Sequence, residues 1–334
     1  MNSRERVYRR VRGEAVDRPP NFDIMMAFAA HFIGRPLSHF YLDHKTLAEA
    51  NLAVLEAFRL DIVQTISDPY REGGDLGLEV EFPEDGLPLR KSPLLVLPAD
   101  LRNLKPVHPS SGRRMSDRVE AVRILRKEVG GDVPVLGWVE GALAAVNVLR
   151  GDTALMLDLY DRPEWVQDCL EFMVEIEIEF ARAQIAAGAD IVGLGDAIAS
   201  QVSPAMYEEF ALPYEQRIFK AVHDMGALAR LHICGNTRRI LGLMSQSGAD
   251  IIDLDWMVDL HSAASRYGHK GPAICGNFDP VRVMLRGTPE VVREAVVTCA
   301  TLTGTRGISA AGCEIPDGTP HENLLAQTEA LSNL

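Results

Sequence analysis

The sequence predicts an α/β fold, a (β/α)8 TIM barrel, because short apolar runs alternate with longer segments of helical periodicity. Strands that are buried on both faces read as nearly continuous apolar runs. Eight runs have this character: 22–28, 60–67, 133–138, 189–195, 228–234, 250–255, 273–277 and 307–312. The tetrapeptide Gly-Ala-Asp-Ile also occurs at 188–191 and again at 248–251, each time between a helix pattern and a strand pattern. Glycine is the usual residue after a helix, so these repeats indicate two equivalent helix-to-strand junctions.

The chain is predicted to form one domain, residues 1–334, because no linker rich in Pro, Gly or Ser divides it. The segment 68–115 interrupts the alternation of strands and helices. Within it, Asp85-Gly86 stands between two extended stretches, which is a hairpin signal. We interpret 68–115 as an excursion over one end of the barrel, serving either as a lid or as a surface ornament.

Composition excludes several classes of partner. The formal net charge of −13 disfavours nucleic acid and anionic membrane surfaces, which repel an acidic protein. No apolar run approaches the roughly 18–20 residues of a membrane span, and the Arg- and Glu-rich residues 3–14 do not read as a targeting signal. The five cysteines, an odd number in a long chain, do not form a disulfide framework. We therefore expect a cytoplasmic protein whose cysteines serve a metal, a nucleophile or the core.

Three residues are candidate zinc ligands. His232 and Cys234 are two apart on a predicted strand, so their side chains point to the same side. Cys313 closes the last strand run and is expected at the same end of the barrel. Two thiolates and one imidazole leave one of four zinc positions for a substrate, as in catalytic sites. A buried His beside a buried Cys is also common in a core without metal, and Cys313 must reach inward from a strand that is not adjacent.

Other polar residues at strand ends are weaker candidates. Asp196 and Glu140 are predicted catalytic groups, and Asn277 and Asp255 are predicted to hold substrate or a zinc-bound water. Asp196 comes first because it follows an apolar strand directly. Each of the four could instead cap the helix that follows. The remaining conspicuous residues are read as core or unpartnered: Cys169, Cys275, Cys299 and His321.

Segments along the whole chain resemble the uroporphyrinogen decarboxylase superfamily, and within it the zinc-dependent, corrinoid-linked methyltransferase branch (methylcobalamin:coenzyme M methyltransferase-like). The segments that carry this resemblance are 4–19, 203–214 and 276–280. The resemblance implies a (β/α)8 barrel. In the methyltransferase branch a His-x-Cys pair and a distant cysteine bind zinc, and His232, Cys234 and Cys313 match them. The decarboxylases instead carry an Arg-Gln-Ala-Gly-Arg stretch near the N-terminus, whereas residues 25–31 read Met-Met-Ala-Phe-Ala-Ala-His.

The resemblance implies that Zn²⁺ activates a thiol to take a methyl group from a methyl-cobalt(III) corrinoid, or activates a methyl ether or alcohol for attack by cobalt(I). The direction stays open. The corrinoid is expected on a separate protein that docks over the barrel mouth, since the nearest cobalamin-binding pattern, Asp259-Leu260-His261, has Ala264 where Gly is needed. Asp259 then reads as a helix cap. Two alternatives remain: a metal-free decarboxylase, and a non-catalytic zinc-binding barrel that serves as a partner subunit.

Overall fold

A curled parallel sheet organises the molecule. The computed structural model describes residues 1–267 and 270–334. Seven strands lie side by side in the order β1-β4-β5-β6-β7-β8-β9, and every neighbouring pair is parallel. Their bounds are β1 Val63–Gln64, β4 Val135–Glu140, β5 Ile191–Gly195, β6 Leu228–His232, β7 Ile251–Asp253, β8 Ala273–Cys275 and β9 Gly307–Ile308. Seven of the eight predicted strands are thereby confirmed, each shorter than its apolar run except at β4, which extends to Glu140.

Helices cover the outer face of this sheet. They are α1 Ser3–Val11, α2 Ala27–Phe32, α3 Leu37–Leu42, α4 His44–Phe58, α5 Arg71–Asp75, α6 Pro98–Asn103, α7 Arg113–Val129, α8 Ala142–Arg150, α9 Asp152–Asp161, α10 Pro163–Ala187, α11 Pro204–Phe210, α12 Leu212–Asp224, α13 Leu241–Met244, α14 Leu260–Tyr267, α15 Pro289–Thr303 and α16 His321–Ser332. Short 3-10 turns at Ala197–Gln201, Thr237–Arg239 and Gly304–Arg306 and a π-helical turn at Pro280–Leu285 complete the connections. Among the described residues, no helix is both long and apolar enough to cross a bilayer.

The prediction of a first strand at 22–28 is wrong. The chain there makes a single parallel bridge, Asn21 to Ser309, and helix α2 already begins at Ala27. The helix starts early because the carboxylate of Glu314 accepts hydrogen bonds from the Met26 and Ala27 backbone N–H groups. The backbone at 20–22 nevertheless bonds to Ser309 on one side and to Asp61 on the other. It therefore spans the two edges of the seven-stranded sheet without forming a regular strand.

The excursion at 68–115 contains the predicted hairpin. Strands β2 (Val80–Glu81) and β3 (Leu89–Arg90) are antiparallel, and Asp85-Gly86 lies in the turn between them. Helices α5 and α6 flank the hairpin. Whether this segment moves as a lid stays a prediction.

The repeated Gly-Ala-Asp-Ile tetrapeptides perform the same task twice. Gly188 and Gly248 have φ of +117° and +92°, the left-handed region that glycine adopts without a Cβ penalty. The following aspartate then accepts a hydrogen bond from the first residues of the preceding strand. Asp190 Oδ2 binds Val135 N at 2.9 Å, and Asp250 Oδ2 binds Ala229 N at 2.8 Å. Each tetrapeptide thus ties two neighbouring strands together, and the first also ends helix α10.

Side chains alternate between the two faces of the sheet. One apolar cluster contains inward-facing residues from most strands of the sheet, among them Leu136, Ile191 and Ile251, together with Ile62 just before β1. Trp138 is the largest side chain in this inner core and lies across β5, since a Cβ at Gly193 would stand 2.4 Å from its ring. Residues of the opposite parity, such as Leu194, pack against the helices.

We expect Gly193→Ala to destabilise the protein by about 1–3 kcal/mol, because the added methyl group must displace a rigid indole in a filled core. Urea denaturation of both proteins at one pH measures this. Gly131→Ala is the matched control, since a Cβ at Gly131 meets no atom within 4 Å. Its free energy of unfolding should stay within about 0.5 kcal/mol of the wild type. Equal effects of the two substitutions would contradict the packing described for Trp138.

Candidate metal centre

Three candidate ligands converge at the carboxyl end of the sheet. His232 ends strand β6, Cys234 follows two residues later, and Cys313 follows β9. Their ligand atoms all lie within 4.8 Å of one another. His232 Nε2 is 2.9 Å from Cys234 Sγ, and the two sulfurs are 3.6 Å apart. His232 is buried, while both cysteines retain partial exposure, so the group is accessible from the rim.

Cys313 reaches this point from a non-adjacent strand because of the residue before it. A Cβ on Gly312 would lie 2.4 Å from the Trp256 backbone nitrogen, so glycine alone permits this close approach. The Gly312 N–H also donates to the carbonyl of Phe278 at 2.8 Å. The chain after β9 is therefore held against the loops that follow β7 and β8. That path carries Cys313 across the end of the sheet to Cys234.

A buried ion pair orients the imidazole. Asp253 on β7 accepts from His232 Nδ1 at 2.7 Å and from Arg230 Nε at 2.9 Å. Burial raises the pKa of Asp253, but Arg230 and His232 outweigh it and lower the pKa to about 2. The ionised carboxylate fixes the proton on Nδ1, which points Nε2 toward the sulfurs. A carboxylate behind a histidine in this manner is the usual support for a metal ligand.

The donor set fits zinc. Zn–S bonds of about 2.3 Å at a tetrahedral angle place two sulfurs about 3.8 Å apart, close to the 3.6 Å between Cys234 and Cys313. The hydrogen bond from Cys234 lowers the pKa of the Cys313 thiol to about 4, whereas the same contact raises the pKa of Cys234. The contact between the two sulfurs therefore favours one thiolate, the form that binds metals. Two sulfurs and one nitrogen occupy three of the four positions that zinc prefers.

Glu140 lies beside this group, in a buried acidic cluster formed by Glu72, Glu140 and Glu177 around Arg71. The Arg71 guanidinium donates to Glu140 at 2.5 Å and to Glu72 at 3.4 Å. The Glu140 backbone N–H donates to Glu177 at 3.3 Å. Burial, opposed by Arg71 and assisted by Glu72, raises the pKa of Glu140 to about 8. Glu140 therefore holds a proton at neutral pH.

Trp138 connects the acidic cluster to the candidate ligands. Its Nε1–H donates to Glu140 Oε1 at 3.3 Å, and its ring centroid is 6.0 Å from that of His232. Gly195 pairs in register with His232, and a Cβ on Gly195 would lie 3.3 Å from Glu140 Oε2. The carboxyl of Glu140 thus stands over the strand next to His232.

The side chain of Asp196 points to the opposite face of the sheet from Trp138 and Glu140. Residues 193 and 195 face inward under Trp138, so the side chain of Asp196 points outward, against Gly141 and the helices. It is fully buried, both carboxylate oxygens lack a hydrogen-bond partner among the described residues, and it caps no helix. Burial and the nearby Glu215 raise its pKa well above the usual range. Its backbone N–H, however, donates to the carbonyl of His232 at 3.0 Å.

Asp255 and Asn277 hold loops around the candidate ligands. Asp255 accepts from the Gly235 N–H at 2.9 Å and from the Met257 N–H at 3.0 Å. The Asn277 side-chain amide donates to the carbonyls of Asp255 and Val258 at 3.0 and 2.8 Å. Both therefore fix the backbone beside Cys234 and Cys313. A direct contact with substrate stays a prediction for each.

The remaining residues singled out in the sequence lie away from the sulfurs or serve the fold. Cys275 is buried, with its sulfur 3.9 Å from the Arg230 guanidinium, and Cys169 is buried on α10. Cys299 lies half-buried on α15. The ring of His321 packs against three phenylalanines. Asp259 accepts from Ser262 N at 3.1 Å, which confirms that it caps a helix.

Arg230, Asp253 and the residues Arg71, Glu72 and Glu177 around Glu140 were not predicted from the sequence. A signal existed for the first, since Arg230 precedes His232 by two residues and so shares its face of β6. For Asp253 the signal was its position at the end of β7, two residues before the predicted Asp255, which puts both side chains on the same face. Arg71 and Glu72 gave no signal, because they belong to the irregular excursion.

We expect Asp253→Asn to weaken metal binding by about 10- to 100-fold, because an amide cannot accept from both His232 and Arg230 as a carboxylate does. Competition with a chromogenic chelator measures the affinity. Asp224→Asn is the control, since Asp224 is exposed and its salt bridge, among the residues the structure describes, is to Lys220. Unchanged affinity in Asp253→Asn would show that the carboxylate does not support the ligand.

Comparisons with known proteins bear on the family of the chain. The model of the family described as "Uroporphyrinogen decarboxylase (URO-D)" matches residues 2–334. The chain is 30% identical to the methylcobamide:CoM methyltransferase MtbA of Methanosarcina acetivorans, over 99% of this chain and 97% of that protein. It is also 30% identical to the uroporphyrinogen decarboxylase of Trichormus variabilis, over 95% and 93%. The resemblance inferred from the three sequence segments is confirmed.

A solved structure described as a methyltransferase from Methanosarcina mazei superimposes with a TM-score of 0.90. The match covers 100% of this chain and 99% of that one, at 23% sequence identity. At this level of sequence identity, the superposition shows that the two chains share a fold. The curled parallel sheet with its helices is consistent with a uroporphyrinogen decarboxylase-like TIM barrel.

Proposed function

The chain belongs to the uroporphyrinogen decarboxylase family, and from this premise we propose that it is a zinc-dependent methyltransferase acting between a corrinoid and a small substrate. The observation that carries the proposal is the convergence of His232 Nε2, Cys234 Sγ and Cys313 Sγ within 4.8 Å. Similarity to methylcobamide:CoM methyltransferases supports the same activity. The corrinoid is proposed to arrive on a separate protein that covers the end of the sheet. We further propose that segment 20–22 closes the barrel between β1 and β9, in the place of a regular eighth strand.

His232, Cys234 and Cys313 would hold the zinc ion. Zinc, when bound, supplies the Lewis acidity that lowers the pKa of a thiol or polarises an ether or alcohol oxygen. Asp253 orients His232 from behind. Asp255 and Asn277 hold the loops that shape the substrate site, and we propose that they bind substrate at its rim. Asp196 is proposed to act indirectly, because its backbone N–H positions the carbonyl of His232.

Glu140 is proposed to handle the proton of the reaction. With a pKa of about 8 its carboxyl carries a proton near neutral pH and can give it to a departing oxygen. In the other direction it takes the proton that a thiol releases. Its position beside Trp138 places this proton next to the candidate ligands.

A carboxy-lyase is the second candidate, because uroporphyrinogen decarboxylases match at the same 30% identity. Metal analysis separates the two activities. Purified protein is expected to contain about one zinc per chain and to demethylate methylcobalamin in the presence of a thiol, followed by the change in cobalt absorbance. Metal-free protein that decarboxylates uroporphyrinogen would establish the second activity. One bound zinc without turnover of methylcobalamin, across thiols and methyl ethers, would favour a non-catalytic partner subunit.

A further inference from the structure

The acidic cluster beside the candidate ligands contains more carboxyl groups than one guanidinium group can neutralise. Three carboxyls face one guanidinium, and among the described residues Arg71 is the only cation in contact with them. The guanidinium of the nearby Arg114 pairs with Asp68 and therefore does not neutralise the carboxyls of the cluster. An excess of buried carboxyls disfavours further negative charge and favours either protons or a bound cation.

Several polar atoms of this cluster lack partners. Glu72 Oε2, Glu177 Oε1 and Arg71 Nε are buried and make no hydrogen bond among the described residues. Buried polar groups are almost always satisfied, so such orphans indicate a missing polar partner. Arg71, Glu72 and Glu177 are at most 1% exposed, whereas Glu140 retains 7%. Glu140 is therefore the accessible carboxyl of the cluster, and Glu72 and Glu177 are buried behind it.

We propose that the cluster of Glu72, Glu140 and Glu177 binds the polar tail of the small substrate and selects a cationic tail, an ammonium group, over an anionic one. This inference rests on the proposed function, since it places the reacting end of the substrate at His232, Cys234 and Cys313. A cationic tail pairs with Glu140 and displaces the proton that the carboxyl otherwise holds, so with such a substrate Glu140 takes the proton that the thiol releases and does not donate one. A sulfonate or carboxylate tail would stand against three carboxyls, and Arg71 is already engaged by two of them.

Three two-carbon thiols with tails of different charge test the proposal: 2-aminoethanethiol, 2-mercaptoethanol and 2-mercaptoethanesulfonate. Titration calorimetry of the zinc-loaded protein should show the amine binding at least about 10-fold more tightly than the sulfonate, with the alcohol between them. Equal binding, or a preference for the sulfonate, would overturn the proposal. Turnover is not needed for this measurement. A protein that binds the amine preferentially but never demethylates methylcobalamin therefore disproves the proposed function alone.

Sulfur-free analogues keep the test independent of the metal. Ethylammonium and ethanesulfonate should differ in the same direction, even if the protein proves to bind no zinc. Glu177→Gln should reduce the preference for the amine several-fold. The control is Glu179→Gln, two residues later on α10, where the side chain is half-buried and pairs with Arg182 at the surface; this variant should leave the preference unchanged. Loss of the preference in both variants, or in neither, would contradict a role for the cluster.

Discussion

Cys313→Ser is expected to abolish metal binding and methyl transfer while leaving the protein folded. The serine hydroxyl stays protonated at neutral pH and is a poor zinc ligand, so the remaining His232 and Cys234 offer two donors instead of three. Metal affinity should fall by more than the roughly 10- to 100-fold that loss of a supporting hydrogen bond costs. Zinc content after dialysis against a weak chelator, and the rate of methylcobalamin demethylation, measure the two effects.

Cys299→Ser provides the matched control. Cys299 is half-buried on α15 and is not among the residues that converge at the candidate metal centre. This variant should retain one zinc per chain and the wild-type rate. Thermal unfolding of both variants distinguishes loss of the metal from loss of the fold. A Cys313→Ser protein that keeps stoichiometric zinc would remove the basis of the proposed function.

Much of this arrangement could be predicted from the sequence, because the signals were local. Two residues of spacing put His232 and Cys234 on one face of a strand whatever surrounds them. The Gly-Ala-Asp-Ile repeats located two helix-to-strand junctions for the same reason. Whether Cys313 reaches Cys234 could not be predicted, since that depends on the close approach of Gly312 to the backbone of Trp256.

The orientation of Asp196 was beyond sequence reasoning for a different reason. Strand β5 reads Ile-Val-Gly-Leu-Gly, with no polar residue to mark its inner face. The inner face is set by Trp138 of the neighbouring strand, which occupies the space above Gly193 and Gly195. Asp196 is one residue beyond Gly195, so its side chain points to the other side. The prediction of a strand at 22–28 was wrong for a similar reason. Helix α2 starts there because its first N–H groups donate to Glu314, which is far along the chain.

Arg71→Met should produce the largest loss of stability, about 3–5 kcal/mol, because it leaves buried carboxyls without their cation. Arg71 is fully buried and donates to both Glu140 and Glu72. Urea denaturation measures the free energy of unfolding. Arg182→Met on α10 is the control, since Arg182 is exposed and its pair with Glu179 lies at the surface. The control should change stability by less than about 0.5 kcal/mol.

The loss in Arg71→Met should also grow as the pH rises. Burial already raises the pKa of Glu140 to about 8, against an ordinary value near 4.5, and raises the pKa values of Glu72 and Glu177 as well. A carboxyl with a raised pKa in the folded state contributes its stability fully below the unfolded pKa, and loses it as the pH climbs toward the folded value. Removing Arg71 raises these pKa values further, because Arg71 lowers all three in the wild type. The stabilities of the two proteins should therefore diverge as the pH rises through about 8, where Glu140 ionises in the wild type but keeps its proton in the variant. Parallel pH profiles for the two proteins would mean that Arg71 does not neutralise the cluster, and would also remove the charge argument for an ammonium-bearing substrate.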